Sequence, residues 1–258
     1  MSVLLERLRC AALAACVAVP MVSSAQLSDV SVVLVHGAFS DGSAWHKVIP
    51  LLQDAGVSVR AAQLPLASLS GDADVVDRLI DLQGGPVVLV GHSYGGNVIT
   101  EAGANENVEA LVYVAGFALE AGQALTDLLE GQPPAPWQSE AVRDAGGFVR
   151  LSDAGVAEFF APDLPAAEAA LIAATQGPIQ YRINAEAPSV AAWSLHPTYY
   201  LVTANDQIIP PRLQGFFANR MGASVTTVDS GHVAMLAQPQ AVADVILSAV
   251  STVSGAVE

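Results

Sequence analysis

The chain has 258 residues, of which 52% are hydrophobic, so it is long enough to bury a sizeable core. It carries 10 basic and 25 acidic residues, for a formal net charge of −15, and Lys47 is its single lysine. A surface of this charge repels phosphate backbones, which argues against nucleic acid as a partner and is typical of a well-solvated protein.

The first 25 residues have the layout of a secretory signal peptide. Two arginines precede an apolar run at residues 10–22, and small residues lead to Ala25, after which we expect cleavage. The run is short and is interrupted by Pro20, so we expect no stable membrane insertion. This pattern predicts export to the periplasm or the medium, with a lipid anchor at Cys16 as the alternative. Both cysteines, Cys10 and Cys16, lie in this segment, so disulfides are not expected in the exported domain.

The rest of the chain alternates short β-branched runs with longer segments of helical spacing. Three of the six runs are apolar on both faces, which is typical of central parallel strands covered by helices on each side. The predicted strands are 30–36, 57–64, 86–92, 108–117, 197–206 and 223–229. The predicted helices are 43–56, 71–84, 94–105, 211–222 and 233–255. The alternation predicts an α/β fold with a mostly parallel, doubly wound sheet of about six strands, in one domain over residues 26–258.

One interval breaks this alternation. Between Phe117 and Pro197 the sequence shows no convincing strand and contains proline-bearing stretches such as "EGQPPAPW". Structureless loops of that length are uncommon in compact domains. We therefore predict a helical cap insertion, at residues 119–195, over one end of the sheet.

The stretch "PVVLVGHSYGGNVI" ends an apolar strand in the pattern G-x-S-x-G, with Ser93 at its centre, and a helical segment follows. A serine on a sharp strand-to-helix turn projects its hydroxyl above the sheet, and small neighbours let the backbone pack closely around it. The next helix points its N-terminal amides, which carry partial positive charge, toward the same place. The context indicates a nucleophile rather than a flexible glycine loop.

A nucleophilic serine also needs donors for the oxyanion that develops on the substrate. The stretch "VLVHGAFSDGSAW" places His36, Gly37 and Ala38 at the end of the first predicted strand. We predict that the backbone amides of Ala38 and Tyr94 form the oxyanion hole. A glycine turn that merely leaves a strand accounts for Gly37 but not for the paired occurrence of both turns.

Five histidines compete for the role of general base. His36 and His92 lie in turns, where an imidazole more often supports a loop by hydrogen bonding. His46 lies inside the first predicted helix, and His196 lies at the wrong end of a strand. His232 follows the last predicted strand and precedes the final helix, from which it can reach back over the sheet, so His232 is the predicted base.

The acid that orients the base is predicted to be Asp206. It ends "YYLVTAND" at the carboxyl end of a strand, where catalytic groups gather in this type of sheet. Asp229 is the main competitor, but it lies only three residues before His232, and Glu120 is the next candidate. The chain order Ser93, Asp206, His232 is that of the nucleophile-elbow hydrolases.

The stretches "VLVHGAFSDGSAW", "LVGHSYGG", "ANDQIIP" and "SGHVAMLAQP" resemble the α/β-hydrolase fold superfamily from about Val30 to the last helix. They are most similar to its small serine esterase branch, which includes plant methyl esterases, hydroxynitrile lyases and bacterial relatives. The resemblance implies Ser93 as nucleophile, His232 as general acid and base, and Asp206 as its partner. These motifs are specific for fold and triad but not for substrate. The sheet begins near Val30, which leaves no room for the two extra N-terminal strands of larger members.

We therefore predict hydrolysis of carboxylic esters of small, uncharged or apolar molecules through an acyl-enzyme, with no metal or organic cofactor. The expected partner is the ester alone, and the oligomeric state is left open. The alternatives are a hydroxynitrile lyase, which commonly needs a positive group that this lysine-poor chain lacks, and a ligand-binding relative with little turnover. Epoxide and haloalkane hydrolases are disfavoured because they need a carboxylate where Ser93 stands. The predicted pocket walls are aromatic: Phe39, Trp137, Phe148, Phe159, Phe160, Tyr181 and Trp193.

Overall fold

A computed structural model of the protein describes residues 29–257. The predicted leader, its cleavage after Ala25 and the alternative anchor at Cys16 lie outside the described residues. The strands are β1 Ser31–Val35, β2 Ser58–Ala61, β3 Val87–His92, β4 Val108–Val114, β5 Ala141–Arg143, β6 Phe148–Leu151, β7 Ile179–Gln180, β8 Thr198–Thr203 and β9 Ser224–Val228. The α-helices are α1 Val48–Asp54, α2 Leu69–Asp81, α3 Gly95–Ala102, α4 Leu125–Leu128, α5 Asp153–Gly155, α6 Ala166–Thr175, α7 Pro211–Met221, α8 Ala234–Ala237 and α9 Pro239–Val257.

The large sheet is parallel, in the order β2-β1-β3-β4-β8-β9. Every residue of β1 and β3 is buried, because helices cover both faces: α2 packs against α3, and α1 against α9. The chain leaves β1 toward β2 on one side and returns to β3 on the other. The carboxyl ends of β1 and β3 therefore border the crevice where the strand order reverses, which is where ligands bind in such sheets.

Each predicted strand of the large sheet is present, and the fold class is confirmed. Two predicted helices are divided. The first becomes a short 3-10 turn, Gly42–Trp45, followed by α1. The last becomes α8 and α9, because Pro239, which has no amide hydrogen to donate, fits at the start of a helix but not inside one.

Helix α2 shows how one face of a helix is fixed. The hydroxyl of Ser68 accepts a hydrogen bond from the amide of Gly71, which satisfies a free donor at the helix start. Its apolar side chains fall three and four residues apart and form a buried face: Leu69, Ala73, Val76 and Ile80. Asp72 lies on the same buried face.

The cap differs from the prediction of an insertion without strands. Strands β5, β6 and β7 form a small antiparallel sheet within it, and Val149 of β6 faces Ile179 of β7. Helices α4, α5 and α6 make up much of the remainder, and a π-helical turn, Val156–Phe160, continues α5. Across residues 29–257, no helix combines the length and the apolar character that crossing a membrane requires.

Candidate active site

Ser93 occupies a sharp turn between β3 and α3. Its backbone has φ 53°, in the left-handed region that side chains other than glycine seldom adopt. The turn is fixed from both sides, since the amide of Ser93 donates to the carbonyl of Val114, and its carbonyl accepts from the amide of Phe117. A methyl group at Gly91 would lie 2.5 Å from the carbonyl oxygen of Gly95, so only glycine fits there. The strained serine is thus held where the strand ends and the helix begins.

His232 and Asp206 form a buried pair. The Nδ1 atom of His232 lies 2.7 Å from the Oδ2 atom of Asp206, and neither side chain is exposed to solvent. An ionised carboxylate can only accept, so Nδ1 carries a proton, and in the neutral form of the ring this leaves the lone pair on Nε2. Nε2 is buried and has no hydrogen-bond partner within residues 29–257. An imidazole in this state is prepared to take a proton from a group placed against Nε2.

Asp206 is held by its own loop. Its Oδ1 atom accepts the amides of Ile208 and Ile209 at 2.8 and 2.9 Å, and its Oδ2 atom accepts the side-chain amide of Gln214 at 2.8 Å. Burial by itself would raise the pKa of Asp206, but His232 and the backbone amides of Ile208 and Ile209 hold the pKa below its usual value. The carboxylate therefore stays ionised and keeps accepting the His232 proton.

The loop that carries His232 is fastened to the serine turn through His92. The Nε2 atom of His92 donates to the carbonyl of His232 at 3.0 Å, and the two rings lie 4.6 Å apart. Burial, and then the neighbouring His232, hold the pKa of His92 well below its usual value, so His92 is neutral. The expectation that His92 supports a loop by hydrogen bonding is confirmed.

The other histidines and acids are engaged elsewhere. His46 is exposed at the end of the first 3-10 turn, and the ring of His196 is paired with the carbonyl of Gly103. Asp229 is exposed and accepts from Asn205, while Glu120 pairs with Arg220 at 3.3 Å. Of the three acids weighed for the role, the structure brings Asp206 to His232.

The loop after β1 lies directly against the serine turn. A methyl group at Gly37 would lie 2.6 Å from the Cβ atom of Ser93 and 3.0 Å from the carbonyl oxygen of His92. The amides of Ala38 and Tyr94, both in buried residues, donate no hydrogen bond to any other residue between 29 and 257. Unpaired buried amides are rare in proteins, and here two of them belong to the turns that flank Ser93. They are free to donate to a ligand.

Three of the predicted aromatic residues cluster beside the pair. The Phe160 ring lies edge-on to His232 with the centroids 5.3 Å apart, and the Phe39 ring lies 6.2 Å from Phe160 and 6.1 Å from Trp137. Phe160 and Val233, the neighbour of His232, also line a cavity of about 340 Å³ under α6. Apolar walls therefore adjoin the candidate base.

The other predicted pocket walls lie elsewhere. Tyr181 is 49% exposed and stacks under the guanidinium of Arg143, so it faces solvent. Trp193 donates to the carbonyl of Leu119 at 2.9 Å and lies against Arg220 at the base of the cap. Each ring lies against an arginine that the sequence pattern does not connect with it. Phe148 and Phe159 are half-buried in the cap.

The cap contacts both loops that carry the pair. Trp137 donates through Nε1 to the carbonyl of Ile208, in the Asp206 loop, at 3.2 Å. On the other loop, the amide of Gly231 donates to the carboxylate of Asp163, and the hydroxyl of Ser230 donates to the same oxygen at 3.2 Å. The insertion is therefore joined to the loops by specific side chains.

Sequence reasoning missed Asp72. This carboxyl is inaccessible to solvent, and it accepts the hydroxyl of Tyr94 at 2.7 Å and the amide of Leu66 at 2.9 Å. Burial raises its pKa to about 6, although both hydrogen bonds act to lower it. Its position on the apolar face of α2, four residues before Val76, is the signal that would have found it.

The described part of the chain contains no group of three or more histidine, cysteine, aspartate or glutamate side chains arranged to hold a metal ion. The sequence model of the alpha/beta hydrolase family matches residues 32–245. A relative, "Probable hydrolase R7" of Phoma sp., is 25% identical over 240 residues, which cover 83% of this chain and 96% of that protein.

Two solved structures are similar over most of the chain. Polyneuridine aldehyde esterase gives a TM-score of 0.75 at 21% identity, covering 84% of this chain and 98% of the other. A pyrethroid hydrolase from Sphingobium faniae gives a TM-score of 0.73 at 20% identity, covering 85% and 96%. At these identities the similarity establishes the shared fold.

Proposed function

Since this chain belongs to the alpha/beta hydrolase family, we propose that it hydrolyses carboxylic esters with Ser93 as nucleophile. The observation that carries the proposal is the buried pair of Asp206 and His232, in which Nε2 of His232 is left without a partner in the described residues. The hydrogen bond from His92 to the carbonyl of His232, which joins the His232 loop to the Ser93 turn, supports the same assignment.

The proposed reaction has two halves. Nε2 of His232 takes the proton of the Ser93 hydroxyl as the oxygen attacks the ester carbonyl, and Asp206 stabilises the imidazolium that forms. The amides of Ala38 and Tyr94 donate to the tetrahedral oxyanion. His232 then gives this proton to the departing alcohol, which leaves the acyl group on Ser93. Water attacks the acyl-enzyme with His232 again as base, and the acid leaves as the Ser93 hydroxyl regains its proton.

An uncharged, apolar ester suits the surroundings of the pair best. Phe39, Trp137 and Phe160 present apolar rings, and a charged substrate group placed among them would lose its hydration without a counter-charge. The cavity beyond Phe160 offers about 340 Å³ for the more distant part of such a molecule.

The lyase and binding alternatives have less support. A lyase of this family would need a positive group near the leaving cyanide, and Lys47 is instead paired with Glu168 at 2.6 Å on the cavity wall. A binding protein with little turnover would not require the orientation of His232 by an ionised, buried carboxylate.

We propose further that the protein is exported after cleavage following Ala25. The intact mass of the exported protein in a bacterial host is expected to match a chain that begins at Gln26. A mass that retains Met1 would contradict this, and a lipid adduct on Cys16 would support the anchored alternative.

The proposal for Ser93 is tested by labelling with a fluorophosphonate and mapping the modified peptide, together with turnover of short-chain esters. Label is expected on Ser93, and ester turnover is expected to disappear in Ser93→Ala and in His232→Ala. Ser248→Ala, at an exposed residue of α9, and His196→Ala, at the amino end of β8, serve as matched controls. Full ester turnover in Ser93→Ala, or label confined to other residues, would overturn the assignment.

A further inference from the structure

Asp72 is a buried carboxyl with two partners of different kinds. Its Oδ2 atom accepts the side-chain hydroxyl of Tyr94, the residue that follows Ser93, and its Oδ1 atom accepts the backbone amide of Leu66. It belongs to α2 and is inaccessible to solvent. Burial of this carboxyl costs free energy that its two hydrogen bonds only partly offset, which indicates a role other than stability. Its two partners indicate what that role is.

The first partner belongs to the proposed oxyanion hole. The amide of Tyr94 is one of its two donors, and the side chain of the same residue is buried with its hydroxyl 2.7 Å from Asp72. When the tip of a buried side chain is held by a hydrogen bond, the φ and ψ angles of that residue can change little. The bond to Asp72 therefore restrains the direction of the Tyr94 amide.

The second partner leads to the other donor. The loop that contains Leu66 also contains Leu64, whose amide donates to Nε2 of His36 at 3.0 Å. Nδ1 of His36 donates in turn to the carbonyl of Gly37 at 2.8 Å, one residue before Ala38. Burial lowers the pKa of His36, which agrees with the neutral ring that these two bonds require. One loop is thus bonded to both sides of the oxyanion hole.

The backbone at Leu66 shows that the loop is held under constraint. Leu66 has φ 55°, in the left-handed region, and such strain persists only where surrounding bonds maintain it. The carbonyl of Leu66 accepts the amide of Gln180 from the cap at 2.8 Å, while its amide donates to Asp72.

We propose that Asp72 is a positioning residue that aligns the oxyanion hole by holding Tyr94 and the 64–66 loop in their working geometry. The proposal rests on the proposed function, since it assigns the hole to the amides of Ala38 and Tyr94. Asp72 touches neither substrate nor reacting atoms and acts through its two partners.

The charge of Asp72 matters, because only the ionised carboxyl is purely an acceptor. The titratable and charged groups around it are Tyr94 from the serine turn, Glu186 at the cap and Arg182, which reaches the carbonyl of Ala67 in the adjoining loop. Burial is the main cause that raises the pKa of Asp72 to about 6, and the negative Glu186 adds to the effect. Asp72 is therefore ionised at neutral pH and neutral in mild acid.

The test compares Asp72→Asn, Tyr94→Phe and the double variant in steady-state ester hydrolysis. Asparagine keeps an oxygen that can accept from the amide of Leu66, but it places an NH₂ group against the hydroxyl of Tyr94. Because the oxyanion forms only in the transition state, kcat is expected to fall about 10- to 100-fold with KM unchanged. The double variant is expected to lose no more than the single ones, since each single change already removes the bond that the Tyr94 hydroxyl donates to the carboxylate. Asp74→Asn, on the exposed side of α2, and Tyr199→Phe, in β8, are the matched controls.

A pH series adds a readout that a purely structural role would not change. The ratio of wild-type to Asp72→Asn kcat is expected to fall toward 1 as the pH drops through about 6, since wild-type Asp72 then becomes neutral. Thermal melts of each variant identify any that fail to fold, and Asp72→Asn carries the test if Tyr94→Phe is among them.

The outcomes separate this proposal from the one on which it rests. Reduced kcat, unchanged KM and a titrating ratio support the role of Asp72. Wild-type kcat in Asp72→Asn, or a loss that is constant with pH and confined to KM, overturns that role and leaves the serine esterase standing. A wild-type protein that hydrolyses no ester and takes no label on Ser93 overturns both.

Discussion

The carboxyl end of the large sheet and the cap above it hold their residues in different ways. At the sheet end, the side chains of the pair follow two neighbouring parallel strands, and Asp206 is fixed by the backbone amides of Ile208 and Ile209. In the cap, short strands and turns leave large apolar side chains in water, with Leu171 62% and Val142 52% exposed. The comparison teaches that substitutions at the sheet end should affect the reaction with every substrate, and substitutions in the cap the choice among substrates.

The largest effect is expected at the acid of the pair. Asp206→Asn should lower kcat by about 10⁴-fold while the protein stays folded, because an amide no longer fixes the His232 tautomer with Nδ1 protonated. The loss should be similar for all esters. Asp229→Asn, at an exposed aspartate three residues before His232, is the control and should change kcat little. The reverse order of effects would assign the acid to Asp229.

The next effect is expected where the loop after β1 meets the serine turn. In Gly37→Ala the new methyl group would lie 2.6 Å from the Cβ atom of Ser93, so the loop must move and carry the Ala38 amide with it. We expect kcat to fall about 100-fold, as when an oxyanion donor is lost.

Gly215→Ala is the matched control for that substitution. Nothing lies within 4 Å of the added methyl group, and Gly215 lies inside α7. This change should raise the free energy of unfolding by about 0.5 to 1 kcal/mol and leave kcat unaltered. Wild-type kcat in Gly37→Ala would show that the loop is less constrained than its contacts indicate.

A smaller and selective effect is expected in the cap. Trp137→Ala removes a ring beside Phe39 and the bond to Ile208, and should change the ratio of kcat/KM between long- and short-chain esters about 10-fold. Tyr181→Ala, at an exposed ring under the Arg143 guanidinium, should leave the ratio unchanged. The measurement is a series of esters of increasing acyl length. Equal changes in the two variants would show that the buried and the exposed aromatic residues of the cap do not differ in their effect on substrate preference.

The last effect is expected in stability rather than in the reaction, at Asp72. Its pKa in the folded protein, about 6, lies above its usual 3.8, so its contribution to stability is complete below about pH 3.8 and is lost as the pH rises through 6. Asp72→Asn should therefore be more stable than wild type at pH 8, by about 1 to 3 kcal/mol, with a smaller difference at pH 5. Urea unfolding at both pH values measures it, and Asp74→Asn should show no such dependence.

The sheet was predictable because its signals are local. Strand β3 is a continuous apolar run that ends in a glycine-flanked serine, and such a run needs no knowledge of distant residues. The same holds for Ser93, Asp206 and His232, which follow three strands of one parallel sheet and therefore arrive at one edge.

The cap strands were not predictable, because their signals are not local. Strand β5 has three residues and β7 has two, which is too short for an alternating pattern to stand out. Their pairing depends on β6, which is far from β7 in the sequence. The contact between Trp193 and Arg220 was not predictable either, because Arg220 comes from α7 and only the folded chain brings the two side chains together.

Asp163 sets a condition on exchanging parts between members of this family. Its carboxylate, in the cap, accepts from Gly231 and Ser230 immediately before His232. In a chimera whose foreign cap lacks an equivalent acceptor, Gly231 and Ser230 would lose their hydrogen bonds to the cap. The position of His232 would then be less well fixed. A graft meant to change specificity therefore has to carry Asp163 along with the candidate pocket walls, because this cap carboxylate is bonded to the loop that holds His232.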